Sequence, residues 1–360
     1  MAKHFSGYDY VPDGSGEKVC RKGDFVFAAA GLDHGHIYAQ TQGLLSAGGE
    51  CALVWDSDPK KVAEFLKRFP ETKVAQSLDE ILQNKDVVCV AGASVPADRF
   101  ALGEKVLRAG KHYFVDKPPF TTLEQLDAAR KLVAETGLKY MPYYAERIHN
   151  QAAEKANELV KAGAIGKVLQ VLIMAPHRLS KSARPDWFFK RERYGGILTD
   201  IGSHQFEQFL EFSGAEDASI NFARVANLGN PEFLELQDFG EANLTTDTGA
   251  SCYCRVDWFT PDGLPVWGDG RTFILGTKGY IEIRKYVDYS DPEKPSQILF
   301  LTDAQKTTRI DCRQMNFPFF GKFILDILNN TENAMTQRHA FKAAELALKS
   351  QQIAEQHNGK

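Results

Sequence analysis

A chain of 360 residues with 43% hydrophobic and 25% charged side chains has the balance of a globular protein of one large or two ordinary domains, which excludes a small disulfide-stapled module and a disordered polymer. Its 43 basic and 47 acidic side chains give a formal charge of −4, without the basic excess that neutralising a phosphate backbone demands, so no nucleic-acid partner is expected. No apolar run approaches the ~18 residues that span a bilayer, and the charged stretch before Asp24 lacks a signal-peptide core, so no membrane association and a cytoplasmic location are expected.

Residues 1–23, rich in Gly, Asp and Lys, read as an irregular N-terminal arm. From 24 to 145, apolar runs at 25–29, 52–55, 87–91, 113–115 and 139–144 alternate with amphipathic stretches, the pattern of βαβ units on a parallel sheet. Helix starts are expected at Asp58-Pro59, at Ser77 with Glu80, and at Thr121 with Glu124, the latter two with capping-box spacing. After 145 the alternation stops. A helix at 151–161, a strand at 168–174, a Trp/Phe loop at 185–189 and a helix at 202–212 precede strand-like runs at 220–227, 250–259, 272–275, 280–285 and 297–302. The expected class is α/β: a Rossmann dinucleotide-binding domain over 24–145, then an α+β substrate-binding and oligomerisation domain over 146–334 with a large, mostly antiparallel open sheet. A C-terminal helix at 335–358 is placed to pack back on the first domain. The six cysteines are scattered; Cys252 and Cys254 share one strand face, but no second pair completes a zinc site, so no metal is expected.

The first strand runs into Gly31-Leu32-Asp33-His34-Gly35-His36-Ile37, where such a fold puts its phosphate-binding turn and helix N-terminus. The pattern departs from GxGxxG, and a plain glycine turn would read the same way. Asp56, at the end of the second strand, strengthens the dinucleotide reading. An acid there accepts hydrogen bonds from the ribose hydroxyls of NAD and repels the 2′-phosphate of NADP. Gly31, Asp33, His34, Gly35, His36, Ile37 and Asp56 are therefore expected to bind NAD.

Lys117 directly follows a short strand, at the sheet edge where ligands bind. Asp116-Lys117-Pro118 resembles the Glu-Lys-Pro motif of the Gfo/Idh/MocA oxidoreductases. GGILTDIGSHQFE from Gly195 to Glu207 resembles that family's second motif, and GTKGYIEI from Gly276 its sheet-return signature. The resemblance implies that Lys117 contacts nicotinamide ribose and substrate hydroxyl, its charge stabilising a developing alkoxide. It also implies that His204 takes the hydroxyl proton as hydride leaves. Asp200, one helical turn earlier, would orient or charge the ring, although the pair also reads as a helix-surface contact or half a metal site. Ser94, Val95 and Pro96 stand where many members have Thr-Pro-Asn, and Arg99 where histidine is usual. With Asp116 and Pro118 they are implied cofactor contacts. Tyr144, Glu146 and Arg147 fall at the substrate-facing linker, Glu146 where a basic residue is common. His177, Arg178 and Trp187 lie on the following loop as substrate contacts beside Lys117, Asp200 and His204. Trp187, Trp258 and Trp267 read equally as sugar-stacking surface and as core.

The implied activity is NAD(H)-dependent oxidation of a secondary hydroxyl of a sugar or glycoside, first among them C3 of a glucosyl group to a 3-keto sugar. Rivals are an inositol or cyclitol dehydrogenase, an NAD-dependent glycoside hydrolase working by transient C3 oxidation, and a dinucleotide-sensing regulatory protein. The last has no need of an acid/base pair. A homo-oligomer through the C-terminal sheet is also expected.

Overall fold

The computed structural model describes residues 10–12, 14, 16–289 and 296–357; residues 1–9, Asp13 and Ser15 of the expected 1–23 arm and the last expected helical residue, Asn358, lie outside them. The chain forms two units. Of the described residues, one holds those up to Tyr144 together with Asn316–Phe341, and the other those within Ala145–Met315 together with those from Lys342.

In the first unit, β1 (Val26–Ala30) is apolar along its whole length because it lies mid-sheet, covered on both faces. With β2 (Glu50–Trp55), β3 (Lys73–Val74), β4 (Cys89–Gly92), β5 (His112–Asp116) and β6 (Tyr140–Tyr143) it makes a sheet in the order β3-β2-β1-β4-β5-β6. Every pairing is parallel. The connections are α1 (His36–Ser46), α2 (Pro59–Arg68), α3 (Leu78–Gln83), α4 (Arg99–Arg108) and α5 (Leu123–Thr136). Strand order reverses between β1 and β4, and ligands of open α/β sheets bind at the carboxyl ends there. Asp58 accepts from Lys60 N and Ser77 from Glu80 N, as expected of caps. At α5 the expected box is shifted by one residue. Thr122 is the cap, accepting from Gln125 N, and Gln125 reaches back to Thr121 N, because a glutamine closes the box as well as a glutamate.

The second unit runs through α6 (Ala145–Ile148), α7 (Gln151–Lys161), β7 (Val168–Pro176), α8 (Arg191–Tyr194), α9 (Ile197–Asp200) and α10 (Gly202–Ser213). Then come β8 (Ala218–Ala226), β9 (Phe239–Thr246), β10 (Ser251–Asp257), β11 (Gly270–Gly276), β12 (Tyr280–Lys285), β13 (Gln297–Thr302) and β14 (Thr307–Asp311). They form one sheet, β14-β13-β12-β11-β7-β10-β9-β8, antiparallel except for the β7–β10 pair. Helices α7, α9 and α10 pack on it, and strands such as β10 alternate fully buried with half-open positions. Strands β9 and β14 were not anticipated. The buried positions of β9 are Gly240, Ala242, Leu244 and Thr246, too small and polar to stand out, and β14 is a polar edge strand.

The chain returns to the first unit through α11 (Pro318–Asn329) and the start of α12 (Gln337–His357). Phe319, Phe320 and Phe323 of α11 surround Phe114 of β5. Gly43 in α1 admits this packing, since a Cβ there would stand 2.2 Å from the Phe320 ring. Among the described residues no helix is long and apolar enough to cross a membrane.

Candidate active site

In the first unit the polypeptide leaving β1 turns at Gly31, whose φ of +72° suits glycine and whose missing side chain leaves room for Ser94, 2.9 Å from where a Cβ would sit. The turn is laced to the loop after β4: Ala93 N donates to Gly31 O and His34 N to Ala93 O, both at 2.9 Å. Asp33 adds a third tie by accepting from Val95 N, while its other oxygen meets Lys61 Nζ at 2.6 Å. Asp56 stands at the end of β2 as expected and braces the turn, accepting from Leu32 N at 2.6 Å and Asp58 N at 2.8 Å. Lys61, 3.7 Å from Asp56, is a cation on this edge that motif reading missed. Gly35 caps α1 by backbone only. Ile37 corrects the expectation: its side chain is buried on the apolar face of α1 and belongs to the core.

Asp116, expected to touch the cofactor, is completely buried and committed to protein donors. Oδ1 accepts from Lys117 N and meets His36 Nδ1, each at 2.7 Å; Oδ2 takes Arg99 Nη2 at 2.8 Å and lies 3.3 Å from His34 Nδ1. Although burial works the other way, Arg99 and then His36 hold this carboxyl well below the usual carboxylate range. Arg99 is likewise a framework residue. Its remaining nitrogens donate to Ser94 O at 2.7 Å and Pro118 O at 3.0 Å, so the guanidinium stitches the loop after β4 to the lysine segment. His34 Nδ1 accepts from His36 N. Burial, then the neighbouring His36, push its pKa well down, leaving a neutral ring. The ligand atoms of His34, His36 and Asp116 lie within 4.8 Å of one another. Arg99 already supplies the cation there. Lys117 is buried behind a cis peptide bond to Pro118, and Ser94, Val95 and Pro96 line the adjoining loop, all buried.

Tyr144, the last residue of this unit, is not placed for substrate: it is fully buried, and its hydroxyl donates to Ala340 O at 3.0 Å.

In the second unit Asp200 ends α9 and His204 lies in the first turn of α10, both buried. The expected single helix is interrupted between them. Ser203 Oγ takes the Asp200 carbonyl at 2.9 Å, and His204 N bonds to Ile201 O at 3.1 Å. Glu146 is buried, with Oε2 accepting from Gln205 Nε2 at 2.8 Å and from Lys285 Nζ at 3.3 Å. Its Oε1 makes no hydrogen bond and stands 3.7 Å from His177 Nε2. Arg147 is sealed in by Glu207 at 2.6 Å, with Glu154 and Glu211 each at 3.8 Å. These carboxylates raise its pKa against the effect of burial, and it joins α6, α7 and α10 where substrate contact was expected.

Arg178 is likewise structural, stapling the 257–268 loop through the carbonyls of Pro261 and Leu264. Trp258 and Trp267 prove to be core. Trp258 packs on Phe188 and His177, and Trp267 on Tyr286. Trp187 is half-buried in a short 3₁₀ turn, Asp186–Phe189. Sequence reasoning missed Gln205, Gln208 and Lys285. A signal existed for the last: Lys285 shares strand parity with Ile281 and Ile283, the buried positions of β12.

A parallel sheet with its glycine turn at the switch point, followed by a largely antiparallel domain carrying a buried Asp/His pair, is the arrangement of a two-domain protein built on a dinucleotide-binding fold. Residues 27–144 match the family model for the oxidoreductase family with NAD-binding Rossmann fold, and residues 153–282 that for the GFO/IDH/MocA C-terminal domain. The chain belongs to the Gfo/Idh/MocA oxidoreductase family, and its nucleotide domain is NAD-binding. A candidate oxidoreductase from Erwinia carotovora atroseptica is 47% identical in sequence, with a TM-score of 0.88 over 92% of this chain and 98% of that one. Inositol 2-dehydrogenase of Rhizobium meliloti is 32% identical over 57% of this chain, which spans 60% of that relative's length. Levoglucosan dehydrogenase, solved with NADH and levoglucosan, shares the fold at 16% identity, with a TM-score of 0.75 over 93% of this chain and 98% of that one.

Proposed function

We propose that this protein oxidises a secondary hydroxyl of a sugar or glycoside with NAD, C3 of a glucosyl group being the first candidate. The observation that carries the reading is that Lys117, Asp200 and His204, the family's motif positions, are all intact and withdrawn from bulk water, where charged and acid/base groups act strongly. Gly31 and the backbone around Asp33 and Gly35 would hold the coenzyme's phosphates, and Asp56 its adenosine ribose, favouring NAD over NADP. Bound NAD supplies the hydride acceptor. Lys117 binds the reacting oxygen and stabilises its negative charge as the O–H bond breaks. His204 accepts that proton, and Asp200 sets the ring's orientation. The kinship with inositol 2-dehydrogenase favours a second reading, oxidation of a cyclitol hydroxyl.

Incubating the purified protein with NAD and a panel of aryl glucosides, glucose and myo-inositol, with NADH absorbance and NMR of the product as readouts, tests both. A 3-keto glucoside is expected. Turnover confined to inositols would establish the second reading, and no turnover with any polyol would overturn the dehydrogenase assignment.

A further inference from the structure

Lys285 closes β12 with its ammonium fully buried, an arrangement that survives in proteins only when the charge is paired. Its Nζ donates to Gln208 Oε1 at 2.7 Å and to Glu146 Oε2 at 3.3 Å. The first contact fixes the Gln208 amide, whose Nε2 then donates to the carbonyl of His204 at 3.0 Å. The second occupies one oxygen of Glu146, which Gln205 also engages, and leaves Oε1 buried without a hydrogen bond. A buried carboxyl oxygen in that condition is an acceptor awaiting a donor.

We propose that Lys285 is a positioning residue for substrate recognition: it holds the Glu146 carboxyl in place and aimed, so that Oε1 accepts a hydroxyl hydrogen of the polyol. This rests on the sugar or cyclitol reading above and adds a regulatory consequence. The charged or titratable groups set against Glu146 are Lys285 from β12 and His177 from the end of β7. Glu207 of α10 acts on Lys285 from further off, and its own partner is Arg147. His177 Nδ1 lies 3.2 Å from Ala175 O, an acceptor, so Nδ1 carries a proton and further protonation falls on Nε2, which faces Glu146 Oε1 at 3.7 Å. The ring also packs edge-on against the uncharged Trp258. An imidazolium would therefore compete with the substrate for the same oxygen. Recognition weakens wherever that ring is protonated.

Two arms test this on the full-length protein. NMR titration of ring-labelled histidines, with His177 assigned through His177→Asn, should show the His177 pKa falling by about one unit in Glu146→Gln, which removes the negative charge while keeping the shape. In Lys285→Met it should rise, because the carboxylate has lost its other cation. In steady-state kinetics with whichever of myo-inositol or an aryl glucoside is oxidised, Glu146→Gln should raise KM about tenfold or more, with a smaller effect on kcat, and abolish the low-pH rise in KM. Lys285→Met should raise KM in the native background but add nothing to Glu146→Gln. An unmoved His177 pKa in Glu146→Gln, or additive effects of the two substitutions on KM, would overturn the proposal. The titration arm needs no substrate, so it tests the Lys285–Glu146–His177 coupling separately from the proposed activity, and failure of the kinetic arm alone would point to the activity reading.

Discussion

Asp116 remains an ion in a place closed to water because its two oxygens are met by a guanidinium, an imidazole and a backbone N–H. Removing one partner of such a buried pair typically costs about 3–5 kcal/mol. The adjacent His34 gives the site a pH signature. Its folded pKa is held well below the ordinary value, so the unfolded chain takes up a proton that the native protein refuses. That contribution to stability is complete above about pH 6.5 and declines as pH falls, by at most about 1.4 kcal/mol per pH unit. Thermal melting from neutral to mildly acidic pH should show this decline in the native protein and a flatter profile in His34→Asn. For the chemistry, His204→Ala and Lys117→Ala are each expected to lower kcat about 100-fold or more. NADH binding, followed by fluorescence titration, should survive in the His204 variant. Near-normal turnover of His204→Ala would remove the acid/base assignment.

At the scale of elements, two local departures from regularity set the geometry. The break between α9 and α10 diverts the Asp200 carbonyl to Ser203 and starts α10 afresh at Gly202, so His204 occupies a first turn whose backbone N–H groups have fewer intrahelical partners. Gly43 is the second. It lets α11 lie close enough to α1 for Phe320 to join the Phe114 cluster. Gly43→Ala should therefore destabilise the protein by about 1–3 kcal/mol through overpacking, despite alanine's better helix propensity. Denaturant unfolding measures this, and Phe320→Leu in the same chain should recover part of the loss. A stabilised Gly43→Ala variant would mean that α11 yields at no cost.

For the molecule as a whole, one face of the second sheet carries a cross-strand row set by the register: Phe300, Glu282, Phe273, Leu172 and Tyr253, flanked by the exposed Leu275 and Tyr280. A row of this length, apolar but for Glu282, on an open sheet fits the expected homo-oligomer. Sedimentation of the native chain should report more than one protomer, with Phe273→Lys shifting it toward monomer while the melting temperature stays close to native. A monomeric native protein would refute the oligomer.

The periodicities of 2.0 and 3.6, the apolar runs and the capping residues determined the class of each domain, and three motifs determined the family, because these signals are local and the chain carries them without help from tertiary contacts. Packing decided what the motif residues do. Asp116 and Arg99 have the chemistry of ligand contacts, yet they spend it on one another. Tyr144, Arg147 and Arg178 are likewise consumed by partners 196, 60 and 83 residues away in the sequence. No spacing rule reveals such distant pairings. Strand β9 stayed hidden because its inward positions are small, and Trp258 and Trp267 read equally as surface and as core until the loop layer closed over them. Lys285 is the instructive middle case. Its parity in β12 marked a lysine turned toward the interior, but only the approach of Glu146, 139 residues away in sequence, supplies the countercharge that allows it to remain there.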